Sequence, residues 1–215
     1  MTHSPAPLLL IGAGGHARSV AQACAPRYEA TAYADPTAAT DPVLGGLVHA
    51  GDDEACRAGR EWAEMEAVIT AGTASDGSLT LRRKLIDAYG ERPYATIVSP
   101  SAFVAPTATL GKGTAVMHNA VVNACTETGR HCVINTAAVI EHDCRLGENV
   151  FAGPGAIVCG GVTVGNDVFI GAGAVLRPGI RVCDRAVIGL GAAVCGDITE
   201  PGTYAGVPAR LIKKS

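Results

Sequence analysis

The spacing of apolar residues changes once along this chain, near residue 96. Before that point short apolar runs alternate with helix-like spacing. Pro7-Leu8-Leu9-Leu10-Ile11, closed by Gly12, predicts a buried strand. Gly14 to about Pro26 keeps Val20 and Cys24 on one side and predicts a helix. Ala30 to Ala34 predicts a second strand that ends at Asp35-Pro36. Asp52 to Glu66 predicts a helix, Ala67 to Thr70 a strand and Ser78 to Tyr89 a further helix. This alternation predicts a small parallel sheet covered by helices, an α/β domain over residues 1–95.

From Val98 a period of six takes over. Stepping by six gives Val98, Val104, Leu110, Val116, Val122, Thr128, Ile134, Ile140, Leu146, Ala152, Val158, Val164, Ile170, Leu176, Val182, Ile188 and Val194. These are 17 positions without a slip, and only Thr128 and Ala152 are not large aliphatics. Four residues after each stands a small or β-branched residue, from Ala102 to Ile198, and Gly is frequent directly after the aliphatic. One such repeat is a short strand plus a turn, with an apolar face it buries only when neighbours stack on it. Three hexads close one triangular coil of 18 residues. The unbroken register predicts a β-solenoid over residues 96–200 with no loop inserted, followed by a tail over 201–215.

Composition narrows the function classes. Charged residues are 17% and hydrophobic ones 48%, which excludes a disordered chain. A net charge of −3 gives no basic footprint for nucleic acid, and no Lys/Arg cluster is of a size that suggests an anionic membrane as partner. Met1 to Pro7 lacks the basic and apolar parts of a signal peptide, and no apolar run is long enough to span a bilayer. The expectation is a soluble, cytoplasmic protein. Eight cysteines form no CxxC pair, so they are expected to be small buried hydrophobes and no metal site is expected.

Gly12-Ala13-Gly14-Gly15-His16-Ala17 fits G-x-G-x-x-A between a strand and a helix, with the acidic Asp35 18 positions further on. A tight turn there would aim backbone N–H groups and a helix start at a phosphate. Alone, this motif would nominate an NAD-dependent oxidoreductase. About 95 residues are short for a two-half dinucleotide fold, however, and a nucleotide diphosphate sugar also carries a pyrophosphate while needing one half.

The hexads over 98–198 resemble the hexapeptide-repeat acyltransferases, whose left-handed parallel β-helix assembles as a homotrimer. Gly202-Thr203-Tyr204-Ala205-Gly206-Val207-Pro208-Ala209-Arg210 is similar to their closing segment. The N-terminal Leu9 to Ala17 motif followed by Asp35 is similar to the sialic acid O-acetyltransferase-like branch. Within it the chain most resembles N-acetyltransferases of nucleotide-linked 4-amino-4,6-dideoxysugars, such as bacillosamine precursors or GDP-perosamine. The resemblance implies a Rossmann-like N-terminal domain holding the nucleotide, with UDP and GDP both open. It implies acetyl-CoA as cosubstrate, sites between subunits, and a role in polysaccharide biosynthesis such as that of an O-antigen. His16 would then reach phosphate or sugar, and Asp35 the base or ribose.

In the same resemblance the His of Ile140-Glu141-His142-Asp143-Cys144 is the base and Asp143 its partner. The chemistry asks for both: a sugar ammonium must lose a proton before nitrogen attacks a thioester, and imidazole titrates in the useful range. Stacking arithmetic adds Gly160, 18 residues on and about 4.8 Å above His142, where a backbone N–H could meet the oxyanion. Some relatives carry a second His one coil later; Phe151-Ala152-Gly153-Pro154 offers none. Glu141, Asn123 and Asn135 are candidate sugar contacts, the two Asn being equally suited to capping turns. Lys213, with Lys214, could attract the phosphates of CoA.

Three rival readings follow. One is O-acetylation of a sialic-acid-type sugar by the same base. Another is a nucleotide-sugar binding protein without catalysis. The third is an NAD oxidoreductase, which the Gly-rich loop alone would suggest; a zinc carbonic anhydrase of the same solenoid is disfavoured by the spacing of His118, His131 and His142.

Overall fold

A computed structural model describes residues 4–73 and 76–214. Part of the segment read above for a leader, residues 1–3, and the last tail residue lie outside the described residues.

The N-terminal half is a four-stranded parallel sheet in the order β3-β2-β1-β4, formed by β1 (Ala6–Ile11), β2 (Tyr28–Ala34), β3 (Val48–His49) and β4 (Glu66–Ile69). Leu8, Leu9, Leu10 and Ile11 are fully buried, as a strand covered on both faces requires. The helix α1 (Gly15–Ala23) follows β1 directly and buries Ala17, Val20 and Ala23. The helix expected over 52–66 breaks in two, α2 (Asp53–Ala58) and the single-turn α3 (Arg60–Ala63). Gly59 between them is extended, and the poor helix propensity of Gly explains the interruption. Asp52 caps α2, its carboxylate accepting the Ala55 N–H at 2.9 Å. The last helix of this half, α4 (Thr80–Tyr89), turns Leu85, Ile86 and Tyr89 onto the sheet.

From Ile97 the chain is a left-handed parallel β-helix with three flat sides. The first side stacks two-residue strands beginning at 97, 115, 133, 151, 169 and 187. The second begins them at 103, 121, 139, 157, 175 and 193, and the third at 127, 145, 163 and 181, with an isolated bridge joining Thr109 to Glu127. Every pairing is parallel and offset by 18 residues, as in Val139 with Ile157 and Arg145 with Thr163. The hexad aliphatics point inward: from Val116 to Val194 all are buried, and with the corner residues from Ala120 to Ile198 they form one continuous core. At the open N-terminal end Val98 stays 41% exposed, because no coil lies beneath it. The hairpin of Gly202–Ala205 and Arg210–Lys214 extends the first side and closes the other end.

Glycine serves the corners in two separate ways. Directly after the aliphatic it permits close stacking: a Cβ on Gly111 would lie 2.3 Å from the Gly129 carbonyl oxygen. The left-handed residue of each turn falls two places later. It is Gly at positions such as 155, 161 and 179, but also Asn119, Cys125, His131, Ala137, Asp143, Asn149, Asp167 and Arg185, with φ between 55° and 59° at these non-Gly residues.

The outward residues give each side a different character. The first side's Val133, Phe151 and Phe169 are covered by the N-terminal half, chiefly by Leu79. The second carries Phe103, Val121, Val139, Ile157, Val175 and Ala193, all apolar, with Phe103 54% exposed. The third carries Glu127, Arg145, Thr163 and Arg181, all exposed. No helix among the described residues is long and apolar enough to cross a membrane.

Candidate active site

His142 stands at the corner between the second and third sides, after the strand Val139–Ile140. Asp143 follows in the left-handed position of the turn, φ 59°, a conformation that Asp tolerates better than most residues. That bend brings its carboxylate back to the ring, with Nδ1 and Oδ2 2.7 Å apart. A carboxylate on Nδ1 fixes the tautomer that leaves Nε2 free to accept a proton. Both side chains are more than 60% exposed, so this pair faces outward from the solenoid.

Gly160 lies one coil above. A Cβ there would stand 2.6 Å from His142 Nε2, so the Nε2 end of the imidazole comes up against a surface that only Gly leaves open. The coils are tied by Gly161 N–H donating to the His142 carbonyl at 2.9 Å and Gly179 N–H donating to the Gly160 carbonyl at 3.0 Å. The Gly160 N–H itself donates to no acceptor among the described residues. It is a free backbone donor beside a free imidazole nitrogen, the pair that acyl transfer to an amine calls for.

The neighbouring column holds Asn123, Glu141 and Cys159. Asn123 Nδ2 donates to Glu141 Oε2 at 3.0 Å, while its Oδ1 accepts the Ala124 N–H at 2.9 Å. Asn123 therefore caps its own turn and also holds the Glu141 carboxylate next to His142. Cys159, beside Gly160, was not singled out in the sequence. Burial, and secondarily the Glu141 carboxylate, raises its thiol pKa. A neutral thiol is a poor nucleophile, so nothing in this column favours a covalent acetyl-cysteine.

Asn135 stands at a different corner, between the first and second sides, where its Oδ1 accepts the Thr136 N–H at 2.8 Å. Lys213 sits in the closing hairpin opposite Thr203, on the first side rather than on the His142 column. His118, His131 and His142 occupy three separate corners. His118 Nδ1 is 2.7 Å from Ser99 Oγ, and His131 is fully buried against Tyr94. Among the described residues no three His, Cys, Asp or Glu side chains gather to hold a metal ion.

The Gly-rich loop joins β1 to α1. Gly12 has φ 104° and packs so tightly on Ala71 that a Cβ would lie 2.8 Å from its nitrogen. At Gly14, the N-cap of α1, a Cβ would meet nothing, and at Gly15 only an arginine tip at 3.6 Å. Those two glycines front open space at a helix start. Asp35 braces the loop, Oδ2 accepting the Ala13 N–H at 2.9 Å and Oδ1 the Thr37 N–H at 3.0 Å. His16 turns away from the sheet and packs on Phe151 of the β-helix, ring centroids 5.8 Å apart. Burial and then the nearby Arg82 cation lower its pKa to about 4, so it is neutral.

A strand-turn-helix Gly-rich loop joined to a left-handed β-helix of hexad coils defines a class, and the chain belongs to the hexapeptide-repeat acetyltransferases. The bacterial transferase hexapeptide (six repeats) family matches residues 143–178. Perosamine N-acetyltransferase, PerB, from Caulobacter crescentus, solved with CoA and GDP-perosamine, is 35% identical. The match covers 95% of this chain and 96% of that one with a TM-score of 0.79. The same enzyme has been solved with CoA and GDP-perosamine after one histidine was replaced by asparagine or by alanine. The acetyltransferase domain of PglB from Neisseria gonorrhoeae, solved with acetyl coenzyme A, is 28% identical, covering 97% of this chain and 100% of that one with a TM-score of 0.85. WeeI from Acinetobacter baumannii, 20% identical over 95% of this chain and 99% of that one, shares the fold at a TM-score of 0.79. No curated protein sequence matches the chain.

Proposed function

We propose that this protein transfers the acetyl group of acetyl-CoA to the amine of a nucleotide-linked 4-amino-4,6-dideoxysugar. The observation that carries the reading is the stacking of His142 Nε2 against Gly160, with Asp143 on Nδ1. Nε2 takes a proton from the sugar nitrogen, whose lone pair attacks the thioester carbon. The C–N bond forms, and the carbonyl oxygen gathers negative charge against the free Gly160 N–H. The C–S bond then breaks as the proton passes from Nε2 to the departing sulfur, and the nitrogen's second surplus proton leaves to solvent, so that ammonium and thioester become amide, thiol and one released proton. Asp143 stabilises the imidazolium in between. Glu141, held by Asn123, offers an anionic contact for the sugar's ammonium before that proton leaves. The likeness to PerB and PglB supports both substrates.

The nucleotide is assigned to Gly12, Gly14, Gly15 and the start of α1, with Asp35 acting through the loop it braces. Residues 1–95 thus serve as the nucleotide-sugar domain, 96–200 as the acyl-transfer domain and 201–215 as the closing tail. The assembly is a homotrimer joined through the second side. In support, that side is the only one of the three that is apolar on its outer face and left uncovered among the described residues. His142 stands on its rim, so a second copy seated there would wall the site. The reading extends to a cytoplasmic enzyme that serves the making of an O-antigen or a similar polysaccharide, supported by the likeness to PerB, solved with CoA and GDP-perosamine.

The test is turnover of a panel of UDP- and GDP-linked sugars carrying an amine or a hydroxyl at C4, with acetyl-CoA. N-acetylation of an amino sugar by the wild type, reduced on the order of 10²-fold or more in His142→Asn, is expected for loss of a general base. Turnover of hydroxyl sugars alone, or equal rates in both proteins, overturns the reading.

A further inference from the structure

The most buried cation among the described residues, Arg82, lies away from His142 and Gly160. Arg82, in α4, is 1% exposed, and among the described residues its guanidinium is hydrogen-bonded to no carboxylate. Its partners are dipoles instead. Nη1 donates to the carbonyls of Ile69 at 3.1 Å and Ala71 at 2.8 Å, Nη2 to the His131 carbonyl at 2.8 Å, and Nε to Asn149 Oδ1 at 2.9 Å. Two partners belong to the exit of β4 and two to corners of the β-helix. One side chain therefore pins the two halves of the protein together.

The β4 exit is the back wall of the Gly-rich loop. Thr70 Oγ1 donates to the Gly12 carbonyl at 2.7 Å, the N–H groups of Thr70 and Ala71 donate to the Ile11 carbonyl, and Gly12 has no room for a Cβ against Ala71. The guanidinium also lies over the Phe151 ring, 5.9 Å from its centroid, and His16 packs on that ring. Moving Arg82 would thus move Gly12 and His16 together.

A charge buried without a counter-charge is costly to keep, and a neutral side chain of similar shape would bridge the same carbonyls' neighbours more cheaply. What the cation adds is an unneutralised field in a low-dielectric layer directly behind the loop. We propose that Arg82 is a positioning residue for the nucleotide. It fixes the Gly12–Gly15 loop relative to the acetyl-transfer corner and lends positive potential to the pyrophosphate held there. This rests on the loop being the nucleotide site.

The test uses the full chain and direct titration with GDP, UDP and CoA, beside steady-state kinetics. In Arg82→Gln the dissociation constant of whichever nucleoside diphosphate the wild type binds should rise about tenfold or more. The KM of the nucleotide sugar should rise with it, while CoA affinity and kcat stay within twofold. Arg82→Lys keeps the charge but not the fork, and should fall between. If the Gln variant does not fold, the Lys variant carries the same comparison. Unchanged nucleotide binding, or an equal loss for CoA, would mean a purely structural role and overturns the proposal. A wild type that binds neither nucleotide sinks the assignment of the loop itself, a separate failure visible before any variant is made.

Discussion

Replacing Gly160 by Ala tests the geometry of the site more sharply than removing either catalytic side chain. The backbone at 160 is not in the left-handed region, so Ala adopts it, and the N–H is retained. What changes is a single methyl, built 2.6 Å from His142 Nε2 and 2.7 Å from Cε1. An ordinary contact needs about 3.5 Å, so the ring must retreat by roughly 1 Å. The ring is exposed and hinged only on its Asp143 contact, so it swings aside at little cost in stability. A base displaced by about 1 Å costs on the order of 10² in rate, because proton transfer and attack both depend on near-contact geometry. The expected result is a kcat lowered about 10²-fold, with a melting temperature within a few degrees of wild type. Thiol release from acetyl-CoA, followed with a colorimetric disulfide, measures it. Adding the substitution to His142→Asn should cost less than about threefold more, since the affected ring is already gone. A Gly160→Ala enzyme of near-normal kcat, or full multiplication of the two defects, would refute the claim that Gly160 acts by leaving room for the imidazole.

Asp143→Asn keeps a residue suited to φ 59° but removes the charge that stabilises the imidazolium, and kcat should fall about tenfold with both KM values little changed. Kinetics in which KM moves and kcat does not would contradict that role. Ile157→Glu places a carboxylate in the middle of the exposed apolar ladder on the second side; sedimentation should show monomers, and acetyl transfer should fail with them. A trimer surviving this change would place the interface elsewhere. Burial lowers the pKa of both His16 and His131 to about 4 from a normal 6.5, so the folded state refuses protons that the unfolded chain accepts. Stability is therefore complete above pH 6.5 and is lost as pH falls towards 4, by up to about 3 kcal/mol for His131, which is fully buried. Thermal melts from pH 7 to 4.5 should show the decline, and His131→Asn should flatten it; a melting temperature independent of pH over that range argues against buried neutral histidines.

The solenoid was legible because its rule is arithmetic. A period of six sends each aliphatic inward and sets residue 142 under residue 160, and both follow from counting. The loop at Gly12 was legible for a similar reason, its motif being local. Other features were hidden by physics that a single residue does not advertise. The left-handed turn positions are filled by Asn, Asp, His and Arg as readily as by Gly, so the steric requirement leaves no uniform mark. In Arg82-Arg83-Lys84 nothing local tells one cation from the next, yet Arg82 is buried while Arg83 pairs with Glu148 and Asp167 of the β-helix. The two-residue strand Val48–His49 is too short for any periodicity to show. Lys213 offers no signal beyond its charge, and the hairpin that carries it runs along a different side from His142.

The offset of 18 residues per coil has a consequence for how such a protein can change length. The β-helix is a screw, and deleting or inserting residues acts on it as a rotation and a translation together. Six residues added between His142 and Gly160 would turn everything above them by a third of a revolution, carrying Gly160 to another corner and dismantling the site. Eighteen residues added above Gly160 would leave the site in place and only lengthen the edge through Pro178 and Gly196, by about 4.8 Å. Evolution can therefore lengthen this edge in whole-coil increments without touching the stacked pair, whereas between His142 and Gly160 any increment other than a whole coil carries the two to different corners.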